Sequence, residues 1–259
     1  MIVGSVQWNE KALRSHSPKK FTEKMLADSE GKGVTVLAFP GFFGELFLNE
    51  KEFINFFIKK SLRYKWMYIC PGSYFERDGD KIYHTSVLVH QGDVVLKQRQ
   101  LYLSTWEKKR EVSRGEKVEF VRIEGCKVAL LLPTDQFYPQ ISRHMKLKGV
   151  ELVIAPSAVI ASNKRALQIS GLWQNVQQNL FFAIESGYSG KMYNLPFSSE
   201  SFIHAPLEIT PKDDGFLASS KGEELLITSE IKIAALTEAE TKYNPIRQLN
   251  QSVYKNMYK

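Results

Sequence analysis

At 259 residues, 43% hydrophobic and 24% charged, with a formal net charge of +7, the chain has the apolar content of one large folded core and not that of a disordered segment. Its apolar stretches, such as LVIAPSAVIA at 152–161, reach about half the ~20 residues of a membrane span, and the start MIVGSVQWNE lacks the layout of an export signal, so a soluble cytoplasmic protein is expected. Cys70 and Cys126 are too few for a disulfide framework, and the basic residues fall in scattered groups (Lys19-Lys20, Lys59-Lys60, Lys108-Lys109-Arg110) without the aromatic interleaving of a nucleic-acid stripe, which argues for a solvated surface.

Ile2 to Trp8 alternates like a strand, and Pro18 to Glu30 is a helix with Ser17 as its N-cap and Pro18 at its first position. VTVLAFP at 34–40 is the near-continuous apolar run of a strand covered on both faces. A helix over Lys51–Tyr64 follows, then strand WMYICPGSYF. KIYHTSVLVH and DVVLKQRQLYL form a hairpin about Gln91-Gly92, and VEFVRI and KVALLL another about Glu124-Gly125. Helix 136–148, strand ELVIAPS, helix 165–178 and strand LFFAIES come next. SFIHAP, GFLASS and EELLITSEIKI close the sheets, with a turn at Asp213-Asp214-Gly215 and an irregular polar tail from about residue 237. No repeat or linker divides the chain, so 1–259 is one domain, an α/β sandwich with mixed sheets.

Several segments, in order, resemble the carbon–nitrogen hydrolase (nitrilase) superfamily. VTVLAFPGFFGE is similar to its strand ending in Phe-Pro-Glu, and GSYFERDGDKIYHTSVLVHQGDVVLKQRQLYL to its Gly-Ser strand, hairpin and Lys-bearing strand. KVALLLPTDQFYPQISRHMKLKGVELVIAPSA is similar to its Cys-containing elbow, following helix and Pro-Ser-Ala strand end. The likeness weakens after about residue 160. It implies a four-layer α-β-β-α sandwich, paired as a homodimer, and a chemistry with three side chains: a Cys nucleophile, a Glu base and a Lys that stabilises the oxyanion.

Each of those three positions is changed. Gly41 stands at the Glu position, Gln100 at the Lys position and Pro133 at the Cys position. Glycine has no side chain, glutamine no charge, and proline neither a nucleophile nor an N–H. Lys97 and Arg99 alternate onto the opposite sheet face from Gln100, Cys126 lies seven residues from Pro133, roughly 23 Å along an extended strand, and Cys70 reads as a small core residue. Thr134, Asp135 and Glu45 are the substitutes, although a threonine hydroxyl needs an adjoining base. Glu107 and Glu111 share a loop where the family often carries another acid, and both read as charged loop residues. Departures at Gln178-Asn179 and Lys232 loosen the C-terminal likeness.

His16, His84, His90, His144 and His204 lie singly, without metal-ligand spacing, and GKG at 31–33 and SRGEK at 113–117 lack the lysine-serine ending of a phosphate loop, so neither metal nor cofactor is expected. The expected function is that of an inactive nitrilase-like protein with a binding, scaffolding or regulatory role. Its old pocket would bind a small molecule or a protein, or be filled by Phe42, Phe43, Tyr74 or Tyr102. The alternative is an active amidase-type enzyme using Thr134, Asp135 and Glu45.

Overall fold

A computed structural model describes residues 1–9, 12, 17–160, 164–221 and 224–253. His16 and the tail tyrosine Tyr254 lie outside the described residues. The strands of the first half are β1 (Ile2–Val6), β2 (Val36–Ala38), β3 (Tyr68–Cys70), β4 (Ser73–Asp78), β5 (Lys81–His90), β6 (Asp93–Arg99), β7 (Val112–Ser113), β8 (Phe120–Ile123) and β9 (Cys126–Leu130). Then come β10 (Leu152–Ser157), β11 (Phe182–Gly187), β12 (Ser189–Met192), β13 (Leu195–Ser198), β14 (Phe202–His204), β15 (Phe216–Ser219) and β16 (Leu226–Glu230). The helices are α1 (Pro18–Gly31), α2 (Glu50–Arg63), α3 (Thr105–Lys108), α4 (Pro139–Leu147), α5 (Lys164–Gln168), α6 (Gln174–Asn179) and α7 (Ala235–Lys242).

Local chemistry sets these boundaries. Ser17 accepts from the Lys20 N–H and Pro18 opens α1, as its sequence requires, while Asn49 caps α2 through the Glu52 N–H at 2.9 Å. Gln91-Gly92 and Glu124-Gly125 both take positive φ, closing their hairpins with two-residue turns. Two local expectations are corrected and one element is added. The helix over 165–178 is broken into α5 and α6 by a π-turn at Ile169–Trp173, where Gly171 leaves helical geometry. The tail begins as helix α7, whose Leu236 and Ala239 are buried, so it is not irregular from 237. The hairpin β12–β13 occupies a stretch with no strand reading.

Among the described residues eight strands form one sheet, with β16-β1-β2-β3-β5-β4 in line and β6 and β7 joined to β5, and six form a second, ordered β15-β14-β11-β10-β9-β8. Strands β1, β2 and β3 run parallel, as do β9, β10 and β11. Side chains alternate across these strands and thereby build layers. Val36, Ala38, Val128, Leu130, Leu152, Ile154 and Ile184 point inward between the two sheets. Leu37 meets Phe21 and Met25 of α1 and Phe53 and Phe57 of α2 on one outer face. Ala129, Val153 and Ala183 meet Ile141 and Met145 of α4 and Val176 of α6 on the other. The result is the α-β-β-α sandwich, in which each large side chain fully buried is worth roughly 1.5–3 kcal/mol. The carboxyl ends of β2, β6, β9 and β10 release Gly41, Gln100, Pro133 and Ala158, so strand ends from both sheets gather the candidate site.

Candidate functional site

A cavity of about 290 Å³ opens beside Pro133. Phe42, Trp106, Phe137, Val159, Leu195 and Phe197 form apolar walls, while Ser104, Glu107 and Thr134 are its polar side chains. Leu195 and Phe197 come from the β12–β13 hairpin. Of the side chains expected to fill this space, Phe42 alone lines it. Phe43 and Tyr74 pack into the core around α2, and Tyr102 stacks on Tyr138 with ring centroids 3.8 Å apart.

Gln100 is fully buried beneath the cavity and donates from Nε2 to Glu107 Oε1 at 2.6 Å. Its side-chain oxygen accepts from the Thr134 N–H at 3.4 Å. Gly41 donates its N–H to the Ser157 carbonyl at 3.2 Å. The chain is closed around it: a Cβ there would stand 3.0 Å from the Ser157 carbonyl carbon and 3.1 Å from Ala158 Cβ. Phe42 follows with φ +57, a left-handed backbone that costs a bulky residue about 1–2 kcal/mol.

Glu107 is the centre of the site, which corrects its reading as a charged loop residue. It is 2% exposed, on α3, in a capping box with Ser104. Oε1 accepts from His84 Nδ1 at 2.7 Å and from Gln100. Oε2 accepts from the Ser104 N–H at 2.8 Å, the Ser104 hydroxyl at 2.7 Å and Thr134 Oγ1 at 3.0 Å. Five donors thus fill the lone pairs of one carboxylate. Burial alone raises its pKa, but the hydrogen bond and charge of His84, with the Ser104 contacts, outweigh burial and hold it down at about 2. Sequence order hid this cluster, because His84 is 23 residues away on β5; the Ser-x-x-Glu spacing of Ser104 and Glu107 was the available signal.

His84 reaches Ser73 Oγ with Nε2 at 2.7 Å, so Ser73, His84 and Glu107 follow one another as in a serine-hydrolase relay. The surroundings do not suit that chemistry. Ser73 is fully buried, its oxygen accepts the Phe42 N–H at 2.8 Å, and the Phe42 ring stacks on His84 at 4.5 Å. No substrate reaches this hydroxyl while Phe42 keeps its place.

The remaining candidates are dispersed. Asp135 is buried and accepts from the N–H groups of Leu101 and Tyr102. Glu45 accepts from the Phe75 N–H at 3.0 Å and from the Tyr193 hydroxyl, and it lines a separate cavity with Arg110. Lys97 and Arg99 pair with Glu76 on the sheet face opposite Gln100, as strand alternation requires. Cys70 and Cys126 are buried, and burial pushes their thiols up to about 11 and about 12. His144 is exposed, His90 stacks on Tyr68 at 3.8 Å, and His204 pairs with Glu185 at 2.9 Å. Among the described residues no three acids, histidines or cysteines cluster to hold a metal, and no helix is long and apolar enough to cross a membrane.

Comparison with known proteins agrees with this architecture. The carbon-nitrogen hydrolase family profile matches residues 3–186. A nitrilase of Pyrococcus abyssi is 24% identical over 245 residues, covering 89% of each chain. A citrullinase of Francisella tularensis is 28% identical over 105 residues, 39% of this chain and 37% of its own. Among solved structures, a mutant of the Nesterenkonia AN1 amidase from the nitrilase superfamily superposes with a TM-score of 0.81 at 15% identity, covering 99% of this chain and 97% of that one. A carbon-nitrogen hydrolase from Helicobacter pylori gives 0.79 at 18% identity, over 100% and 98%.

Proposed function

The chain belongs to the carbon–nitrogen hydrolase family, and from that premise we propose that it is a catalytically silent member whose pocket binds rather than cleaves. The observation that carries this reading is the identity of the groups around one cavity. Pro133 lines it without a nucleophile, Gln100 beneath it is a neutral amide, and Gly41 has no side chain and tight surroundings. The acid that does face the cavity, Glu107, is a poor base: held down at about 2 and accepting five hydrogen bonds, it has little tendency to take a proton.

A second reading has one observation in its favour, the 3.0 Å hydrogen bond from Thr134 Oγ1 to Glu107 Oε2. In it, Thr134 attacks an amide or nitrile carbon and Glu107, not Glu45, takes the proton. Against it stands the pKa gap between a hydroxyl and this carboxylate, many powers of ten of unfavourable proton transfer. Ammonia release from a panel of primary amides and short nitriles separates the two. The silent reading expects release equal to the blank; release above blank that Thr134→Val abolishes would establish the second reading instead.

A further inference from the structure

The cavity beside Pro133 also carries information about what it holds. Resting on the reading of a binding pocket, we infer that its ligand is a small, uncharged, largely apolar molecule with one N–H or O–H group, which it donates to the hydroxyl oxygen of Thr134.

Size comes first. At about 290 Å³ the cavity lies at the lower edge of the ~300–1,000 Å³ common for ligand sites, and at ~30 Å³ per water it holds on the order of ten non-hydrogen atoms. Its walls, Phe42, Trp106, Val159, Leu195 and Phe197 among them, reward apolar contact.

The polar groups decide the rest, because most are already satisfied. Both Glu107 oxygens are filled by donors from His84, Gln100, Ser104 and Thr134. The Ser104 hydroxyl donates to Glu107 Oε2 at 2.7 Å and accepts the Glu107 N–H at 3.2 Å. Thr134 Oγ1 spends its proton on Glu107, and no donor reaches its oxygen from the described residues. Among the side-chain oxygens of Ser104, Glu107 and Thr134, one acceptor therefore faces the cavity with open capacity, and its complement is a donor; the Trp106 indole N–H, a donor itself, does not compete for it. An anion would find the Glu107 carboxylate in the cavity wall and His84 already turned to that carboxylate, with no lysine or arginine lining the cavity to receive it. An ammonium group would bring three donors to one open acceptor and lose its hydration for the other two. Neutral molecules avoid both costs.

Titration calorimetry with four probes tests this: indole, benzofuran as a similar bicycle without the donor, benzoate and benzylammonium. Indole should bind the wild-type protein more tightly than the other three. Thr134→Val should weaken indole by about fivefold, the worth of one neutral hydrogen bond, and leave benzofuran within about twofold. Val159→Trp, which fills the cavity, should remove binding of both, with the melting curve of each variant confirming a folded protein; if Val159→Trp does not fold, the indole and benzofuran pair on Thr134→Val decides alone. Benzoate or benzylammonium binding as tightly as indole, equal loss of indole and benzofuran in Thr134→Val, or no heat with any probe up to its solubility would overturn the inference. Ammonia release is scored without these probes, so a failure of the silent-site reading is recognised separately.

Discussion

Asp135 follows Thr134 in sequence, yet its carboxylate turns to the N–H groups of Leu101 at 3.1 Å and Tyr102 at 2.7 Å, tying the end of the β9 segment to the end of the β6 segment. Burial pushes its pKa up to about 7 from 3.8; the two N–H donors oppose that rise and the charge of Glu107 adds to it. The sign for stability follows from linkage. Below 3.8 the group is protonated folded and unfolded and has no effect. As pH rises from 3.8 to about 7 the unfolded chain ionises while the folded one keeps its proton, so stability falls, by on the order of 4 kcal/mol over the interval. Glu107 acts oppositely and lower down, its contribution being lost only as pH falls from 4.5 toward about 2. Urea midpoints of the wild type should therefore rise between pH 8 and pH 5. Asp135→Asn, which keeps an acceptor for the Tyr102 N–H and cannot ionise, should lose most of that slope; an unchanged slope would remove Asp135 as its source. At this scale the sequence pointed to Gly41, Gln100 and Pro133, and the structure places Pro133 on the cavity wall and Gln100 against Glu107. The sequence could not disclose Glu107 with His84, since their pairing is made by sheet geometry between distant strands.

The strands and turns were more legible than the contacts among them. Two-residue turns with a glycine announced the β5–β6 and β8–β9 hairpins, and the apolar runs at 34–40 and 152–157 announced strands covered on both sides. The β12–β13 hairpin escaped because its turn, Tyr193-Asn194, takes positive φ without a glycine and its strands are short and half-exposed. The exposed polar residues of α7 likewise masked a helix held by few apolar contacts. One element junction is under tight steric control. Gly72, between β3 and β4, has φ +99, and a Cβ there would lie 2.1 Å from the Pro40 carbonyl oxygen. Gly72→Ala should cost about 3 kcal/mol or more, combining a forbidden backbone with overpacking. Gly31→Ala, at the end of α1 with nothing within 4 Å of its Cβ, is the control and should be neutral or stabilising by up to about 1 kcal/mol. Chemical denaturation of the two variants checks the contrast.

The molecule as a whole has the architecture of its family. Two sheets bury one common core, to which both halves of the chain contribute. Pairing into a homodimer, implied by resemblance, belongs to our proposal. What supports it is apolar exposure on the α4 to α5 side, where Leu147 is 53%, Phe137 39% and Ile169 37% exposed. Sedimentation should give twice the 29.7 kDa chain mass, and Leu147→Glu should shift it toward the monomer; a monomeric wild type would discard the pairing.

Gly41 has a consequence for any attempt to put a carboxylate back at its place. The Ser157 carbonyl carbon and Ala158 Cβ stand 3.0 and 3.1 Å from where its missing carbon would be, so a side chain restored there asks the loop after β10 to draw back by a few tenths of an ångström.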